Sequence, residues 1–461
     1  MRKVIFSLVV LTLSFATFAS SESVSFSILP PDSSSSLVDR AAAVLLIDEG
    51  KQMLNAGKTR DALTRFRQAQ IKDKYSSRAA YWIGRAHYNL SNYGYALKYA
   101  KQAEVLSQAA DGDVFFLLGQ SYHRIAELDS ARMNYDLAEL QLSRAKKRVY
   151  NIGRLIQEVD FAEKMMAKET AWKRELIKGP VNSGFDDYAP IKVPEMMKLY
   201  FVSRRPDTEG GDLNPDDQRY FEDIYMATWN EKDGIWDSVT NDLGKINSIG
   251  FDAVAHLADG GKRMYLTRNT AIVDMKNHTR SSDICVTEMS NQGRWSNPKP
   301  IKNKTINTSY FDGAPTLTGD ENTMYFVSDR RGEGHMSDIF VVERVGRKWG
   351  EAKPLPDHIN TPGNETTPFI TPDGKFLFYS SDGKIGMGGY DIYVTENLGN
   401  GQWSEPLNLG PEFNSVNNDT HFRFYPELKK AFLASYRIQG EKASIDIYEM
   451  LLEGWEIPKA K

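Results

Sequence analysis

The sequence predicts a multidomain chain, α followed by all-β: an N-terminal α-solenoid of about three helical repeats, then a five-bladed β-propeller. Three observations carry this expectation. Small residues recur every 34 or 35 positions in the first third, and an Asp-Ile-aromatic tripeptide recurs every 53 to 60 positions in the remainder. The two ends of that remainder also read as two halves of one strand.

The first residues read as an address. Arg2 and Lys3 precede an apolar run over residues 4–18, with small residues around Ala19, so 1–19 is expected to be a Sec signal peptide. The run is short for a membrane span and no cysteine follows it, so neither direct membrane insertion nor a lipoprotein anchor is expected. The mature chain is expected in the periplasm. Residues 20–36, Ser-rich with Pro30-Pro31, read as a flexible leader. With 26% charged residues and a net charge of −4, no basic excess points to nucleic acid. The single cysteine, Cys285, forms no intrachain disulfide and reads as a core residue.

From residue 37 to 176 the apolar positions fall at helical spacing. Gly50, Gly84 and Gly119 keep the 34/35 period, as do Ala62, Ala96 and Ala131, and Ala69, Ala103 and Ala138. A small residue on an inner face lets two helices approach, and Phe66 or Tyr135 fills the space a turn later, with Ala100 in the middle copy. This resembles the tetratricopeptide repeat over about residues 43–144. The third copy matches best, with Phe115, Leu118, Gly119, Tyr122, Ala131, Tyr135 and Ala138. The charged segment from Ala145 to Leu176 is expected to be one capping helix. The resemblance implies a concave face for an extended peptide or partner helix. Tyr88, Tyr95, Tyr99 and His123 are its candidates, weighed against simple packing.

Residues 177–461 alternate apolar and polar in short, aromatic-rich runs. The tripeptide stands at Asp223-Ile224-Tyr225, Asp283-Ile284-Cys285, Asp338-Ile339-Phe340, Asp391-Ile392-Tyr393 and Asp446-Ile447-Tyr448. An apolar strand precedes each copy, and Trp236, Trp295, Trp349, Trp403 or Trp455 follows it. Asn182, Asn247, Asn307, Asn360 and Asn414, each before Ser or Thr, open the units. An acid comes next: Asp186 or Asp187, Asp252, Asp312, Glu365 and Asp419. Units of about 55 residues with four strands are propeller blades. The first unit begins at Ile177 where the last, ending Trp455 to Lys459, leaves off, which predicts a closed ring without exposed edges. Five is the count; a sixth blade would have to come from elsewhere.

The units resemble the WD40-like repeats called PD40, of TolB type. Ser380-Ser381-Asp382-Gly383, Gly388 to Tyr393 and Trp403 to Gly410 carry that resemblance. The order of array and propeller is similar to the PorE-type periplasmic component of the Bacteroidetes type IX secretion system. It implies partners among envelope proteins, type IX secretion or outer-membrane components included. No OmpA-like domain follows the fifth blade here, so peptidoglycan binding by that route is not expected.

Because Asn, Ser/Thr and acid recur in every unit, their expected work is local, capping turns and satisfying backbone groups. Candidates for partner binding are instead sought where the blades differ, in the loops between second and third strands. These are Asp212 in an acidic loop, Arg268 and Arg280 in a basic one, Arg330, Arg331 and His335 in the third blade, and Lys384 in the fourth. The acidic loop offers oxygen ligands for calcium but lacks the spacing of a known calcium loop, so no cofactor is expected. No nucleophile elbow, His-Glu-x-x-His or phosphate loop is present, and the chain is expected not to be an enzyme. The expected function is an envelope scaffold. The alternatives are a glycan- or peptide-binding propeller, or a propeller hydrolase or lyase acting on polysaccharide.

Overall fold

The computed structural model describes residues 35–107, 111–215, 217–269, 282–332, 334–439 and 442–460. The expected signal peptide and most of the expected leader lie outside them. The array is three helical hairpins: α1 (Leu37–Asn55) with α2 (Thr59–Lys72), α3 (Ser77–Asn89) with α4 (Tyr93–Ser107), and α5 (Gly112–Arg124) with α6 (Leu128–Gln141). Ser36, Ser76 and Asp111 start three of these helices by accepting a backbone N–H from the first turn. Each hairpin turns at a left-handed residue, Gly57, Ser91 or Ala126, so the turns keep the sequence period too.

The glycines do what their spacing predicts. A Cβ at Gly50 would lie 2.4 Å from the Phe66 ring, and one at Gly119 would lie 2.6 Å from the Tyr135 ring. All six period-keeping alanines are fully buried. Burying a ring such as Phe66 contributes about 2 kcal/mol.

The segment expected to be one capping helix differs. It is two helices, α7 (Arg144–Tyr150) and α8 (Ile152–Met166), because Asn151 between them is left-handed with φ 51°. The residues expected at its end, Arg174–Leu176, are a strand of the propeller, so the boundary expected at 176/177 falls ahead of Arg174.

Five antiparallel sheets follow, one per repeat unit. Blade 1 is Asp187–Val193, Lys198–Ser203, Asp223–Asn230 and Ile235–Thr240. Blade 2 is Phe251–Ala258, Arg263–Asn269, Asp283–Glu288 and Lys299–Pro300. Blade 3 is Asp312–Leu317, Thr323–Ser328 and Asp338–Val345, with Lys348–Trp349 and Lys353–Pro354 outermost. Blade 4 is Glu365–Ile370, Phe376–Ser381 and Asp391–Gly399, with Gln402–Trp403 and Leu407–Asn408. Blade 5 is Asp419–Tyr425, Lys430–Gln439 and Lys442–Leu451, and its fourth strand is Arg174–Leu176.

That last pairing closes the ring. Leu176 stands opposite Tyr448 as Pro354 stands opposite Phe340 in blade 3, and Ile177 donates to the Ile447 carbonyl as Leu355 does to Ile339. The ends complement each other as expected, with the closing strand three residues upstream of the predicted one. An apolar cluster fills each gap between neighbouring blades, the closing one built from Leu199, Phe201, Phe432 and Ile447. Cys285 belongs to the cluster between blades 1 and 2, and burial pushes its thiol up to about 12.

Candidate functional site

The inner strands, the loops that lead into them and the loops between second and third strands meet at one face of the ring. Each lead-in asparagine clasps the preceding blade. Its Oδ1 accepts the N–H of the tripeptide isoleucine at 2.6–2.9 Å, and its Nδ2 donates to the same residue's carbonyl at 2.9–3.0 Å. The next Ser or Thr hydroxyl donates to the buried acid four residues on at 2.6–2.8 Å. In blade 1 that acid is Asp187.

A cation completes each unit, coming from within or just after the second strand in blades 1 to 4. Arg205, Arg268 and Arg330 pair with Asp187, Asp252 and Asp312, and each also donates to a carbonyl just before the lead-in asparagine. Lys384 reaches the His358 carbonyl at 2.5 Å. In blade 5 the closing strand supplies Arg174, 2.8 Å from Asp419. Arg268, Arg330 and Lys384 thus bring a cation to one repeated place from different positions, Arg268 standing opposite Asp252 where Ser328 stands opposite Asp312, although they were sought as points of difference. Lead-in loops pinned this way are rigid platforms for whatever side chains lie between the asparagine and the acid.

A side chain spans the ring interior. The Arg423 guanidinium crosses it to the Ala255 carbonyl of blade 2 and lies over the Phe369 ring. Burial and that guanidinium push His256 and His421 down to about 3, so both stay neutral.

The array covers part of the loop face. His123 Nε2 lies 3.0 Å from the Met387 carbonyl, and Arg124 donates to the Val416 carbonyl at 2.6 Å and the Tyr88 hydroxyl at 3.3 Å. Arg154 donates to the carbonyls of Asp382 and Lys384. Met387 and Val416 are buried in the same cluster as α5, α6 and α8. Of the array candidates, His123 and Tyr88 therefore face the chain's own propeller, while Tyr95 and Tyr99 stack on His87. Burial holds His123 down at about 4, so it meets the carbonyl as a neutral N–H donor.

The array also touches the blade 1 loop, where the Arg60 N–H donates to Gln218 at 2.7 Å, and exposed side chains remain on blades 1 to 3. Phe185, Ile249 and Tyr310 are 40, 49 and 50% exposed, each standing between a lead-in asparagine and its acid. Met336 of the blade 3 loop is 57% exposed. Arg331 lies beside them, 3.1 Å from Asp357, and both it and His335 approach the buried Asp338. Asp212 is exposed on the blade 1 loop, whose other acids are spread among separate partners: Asp207 accepts the Tyr225 hydroxyl and Asp217 pairs with Arg204. Arg280 lies outside the described residues.

The apolar residues were missed at the sequence level. They sit inside the most regular part of the repeat but at two steps of it, Phe185 and Tyr310 three residues past the asparagine and Ile249 two. In blade 5 the corresponding Val416 is buried under the array.

One carboxyl on this face is set apart. Asp223 is buried, faces Asp252, and accepts only neutral donors, the Glu209 N–H at 2.8 Å and the Asn241 amide at 3.3 Å. Burial first, and then Asp252, push it up to about 7. A carboxyl that binds its proton more tightly when folded stabilises the fold below its unfolded value of about 3.8, and that contribution is lost as pH rises to about 7. Asp223→Asn is therefore expected to gain on the wild type between pH 4 and 7, by about 3 kcal/mol at pH 7. Urea unfolding across that range measures it; parallel curves would contradict the assignment.

No protein-family model matches the chain, and no curated protein matches its sequence. Among solved structures, a type III secretion translocator chaperone from Yersinia enterocolitica matches 28% of this chain and 100% of its own, at 16% identity and TM-score 0.26. An endo-arabinase from Bacteroides thetaiotaomicron matches 59% of this chain and 96% of its own, at 16% identity and TM-score 0.38. An α-L-arabinofuranosidase from Podospora anserina, in complex with cellotriose, matches 60% and 95%, at 11% identity and TM-score 0.38. The expectation that the chain is not an enzyme is corrected on this finding, since neighbours spanning the propeller are glycoside hydrolases. Missing sequence motifs do not decide the matter, because a carboxylate pair assembled from separate strands leaves no contiguous signature.

Proposed function

We propose that the chain is a glycan-binding protein of the cell envelope, holding an extended oligosaccharide across the open half of the propeller's loop face. The observation that carries this reading is the placement of Phe185, Ile249 and Tyr310 as exposed apolar side chains on rigid lead-in loops. Exposed apolar groups gathered on one face mark an interaction site. A sugar ring offers an apolar C–H face for such side chains, while its hydroxyl edge meets polar neighbours. Arg331, His335 and Asp212 are the polar side chains placed to read that edge. Its setting in the envelope is supported by the basic, apolar and small-residue order of residues 1–19 and by the resemblance to PD40 envelope propellers.

Binding of the mature chain to an oligosaccharide panel tests the reading. Tyr310→Ala is expected to weaken the best ligand about tenfold with an unchanged melting temperature, because the ring is half exposed and supports no core. Binding of peptides and no sugar would overturn it. The same incubations report turnover: product release that depends on a loop-face carboxylate would make the site catalytic.

A further inference from the structure

A cavity of about 480 Å³ lies where the array meets blades 1 and 5, and that volume suits a small ligand. Four arginines line it: Arg60 at the start of α2, and Arg204, Arg219 and Arg437 on the propeller. Among the described residues that line it, Asp186 is the one carboxylate. Phe185 and Tyr220 form an apolar wall, edge to face with centroids 5.7 Å apart. Because Phe185 also belongs to the open rim, the cavity continues the proposed glycan surface.

Three of the four arginines have a carboxylate partner, and Glu222 acts on Arg204 as a further negative charge. Arg219 pairs with Asp186 at 2.6 Å, and Arg437 pairs with Asp446. Arg204 donates its Nε to the Tyr220 carbonyl at 2.6 Å and meets Asp217 through Nη1 at 2.7 Å. It is only 8% exposed, and its Nη2 is buried with no hydrogen-bond partner. A buried guanidinium N–H left unpaired costs folding free energy and calls for an acceptor. The cavity beside it supplies the room, and a guanidinium N–H makes its strongest bond to a charged oxygen acceptor.

We infer that this cavity takes an anionic sugar residue, with its carboxylate or sulfate on the arginines and its ring against Phe185 and Tyr220. The inference rests on the glycan reading and sharpens it, from sugars in general to acidic ones. Arg204 is the anchor, fixed by its two other bonds. Arg60 is the contribution of the array, which makes the site complete only when both halves are docked.

The mature full-length chain is titrated with trigalacturonate, its methyl ester, a sulfated galactose trimer and a neutral galactose trimer. An anionic trimer is expected to bind about tenfold more tightly than the ester and the neutral sugar. Whether the uronate or the sulfate is preferred identifies the source of the anion. Arg204→Gln removes the anchor but also breaks a buried pair, so Arg60→Gln, at an exposed position, is the second variant. It is expected to weaken the anion about fivefold while leaving ester binding and melting temperature unchanged. Equal affinity for acid, sulfate, ester and neutral sugar would overturn the cavity assignment and leave the rim reading standing. Binding of none of the four would overturn both.

Discussion

Arg330→Ala is expected to destabilise the protein by about 4 kcal/mol, in the range for stripping the partner from a buried charge. Asp312 is wholly buried, and Arg330 is its guanidinium partner. The same side chain donates to the Thr305 and Ile306 carbonyls and the Ser328 hydroxyl, and it lies over the Phe326 and Phe340 rings at 5.3 and 4.7 Å. Alanine leaves Asp312 with only its bonds from Thr308. Chemical denaturation reads the loss, and Arg294→Ala is the control, since both members of the Arg294–Asp242 pair are exposed and its removal should barely move the midpoint. The double variant Arg330→Ala, Asp312→Asn should lose less than the two single losses combined, because it no longer buries a lone charge. Additive losses would mean that Arg330 acts through packing alone. The lead-in loop that Arg330 pins also carries Tyr310, so the variant is expected to bind sugar more weakly as well.

The same residue shows what the sequence makes legible. The five asparagines, five acids and five tripeptides could be read as structural because each does the same work in each blade, and the bonding bears that out. Arg268, Arg330 and Lys384 do comparable work, but each comes from a different offset relative to its second strand, so neither loop content nor a fixed count shows it. The docking of the array was not legible at all. Its acceptors are main-chain carbonyls of Met387, Val416, Asp382 and Lys384, which any residue would supply, and its donors are His123 and Arg124 at the end of α5 and Arg154 on α8. The closing strand was placed three residues late because its register is set by pairing with Lys442–Leu451, not by any pattern of its own. The single capping helix was overdrawn for a local reason, the left-handed Asn151.

Gly388→Ala is expected to pry array and propeller apart. Gly388 lies in the blade 4 loop, where a Cβ would come within 2.4 Å of the Val416 carbonyl carbon and 2.4 Å of the Asn417 carbonyl oxygen. Both are main-chain atoms of the blade 5 lead-in loop, so no side chain can swing aside to make room. That loop cannot retreat freely either, because Asn414 clasps Ile392 and Ser415 holds Asp419. What can give is the seam. Val416 presents the carbonyl that Arg124 holds, and Met387, next to the substituted residue, presents the one that His123 holds. Inserting a methyl group into a packed contact costs about 1–3 kcal/mol, and here one methyl group strains blade 4, blade 5 and the array together. In calorimetry the wild type is expected to unfold in one transition, with the variant showing an earlier one for the array. Amide exchange at Val416 and Gly389, whose N–H donates to the Asn417 carbonyl, should quicken first. Gly184→Ala, on the same face but with nothing within 4 Å of its Cβ, is the control and should be silent. A single transition at an unchanged temperature in Gly388→Ala would mean that the two halves are not held through this loop. Because the acidic-sugar cavity needs Arg60 from the array and Arg204 from the propeller, a variant that separates the halves should also lose its preference for the anionic trimer while keeping the rim's affinity for neutral sugar.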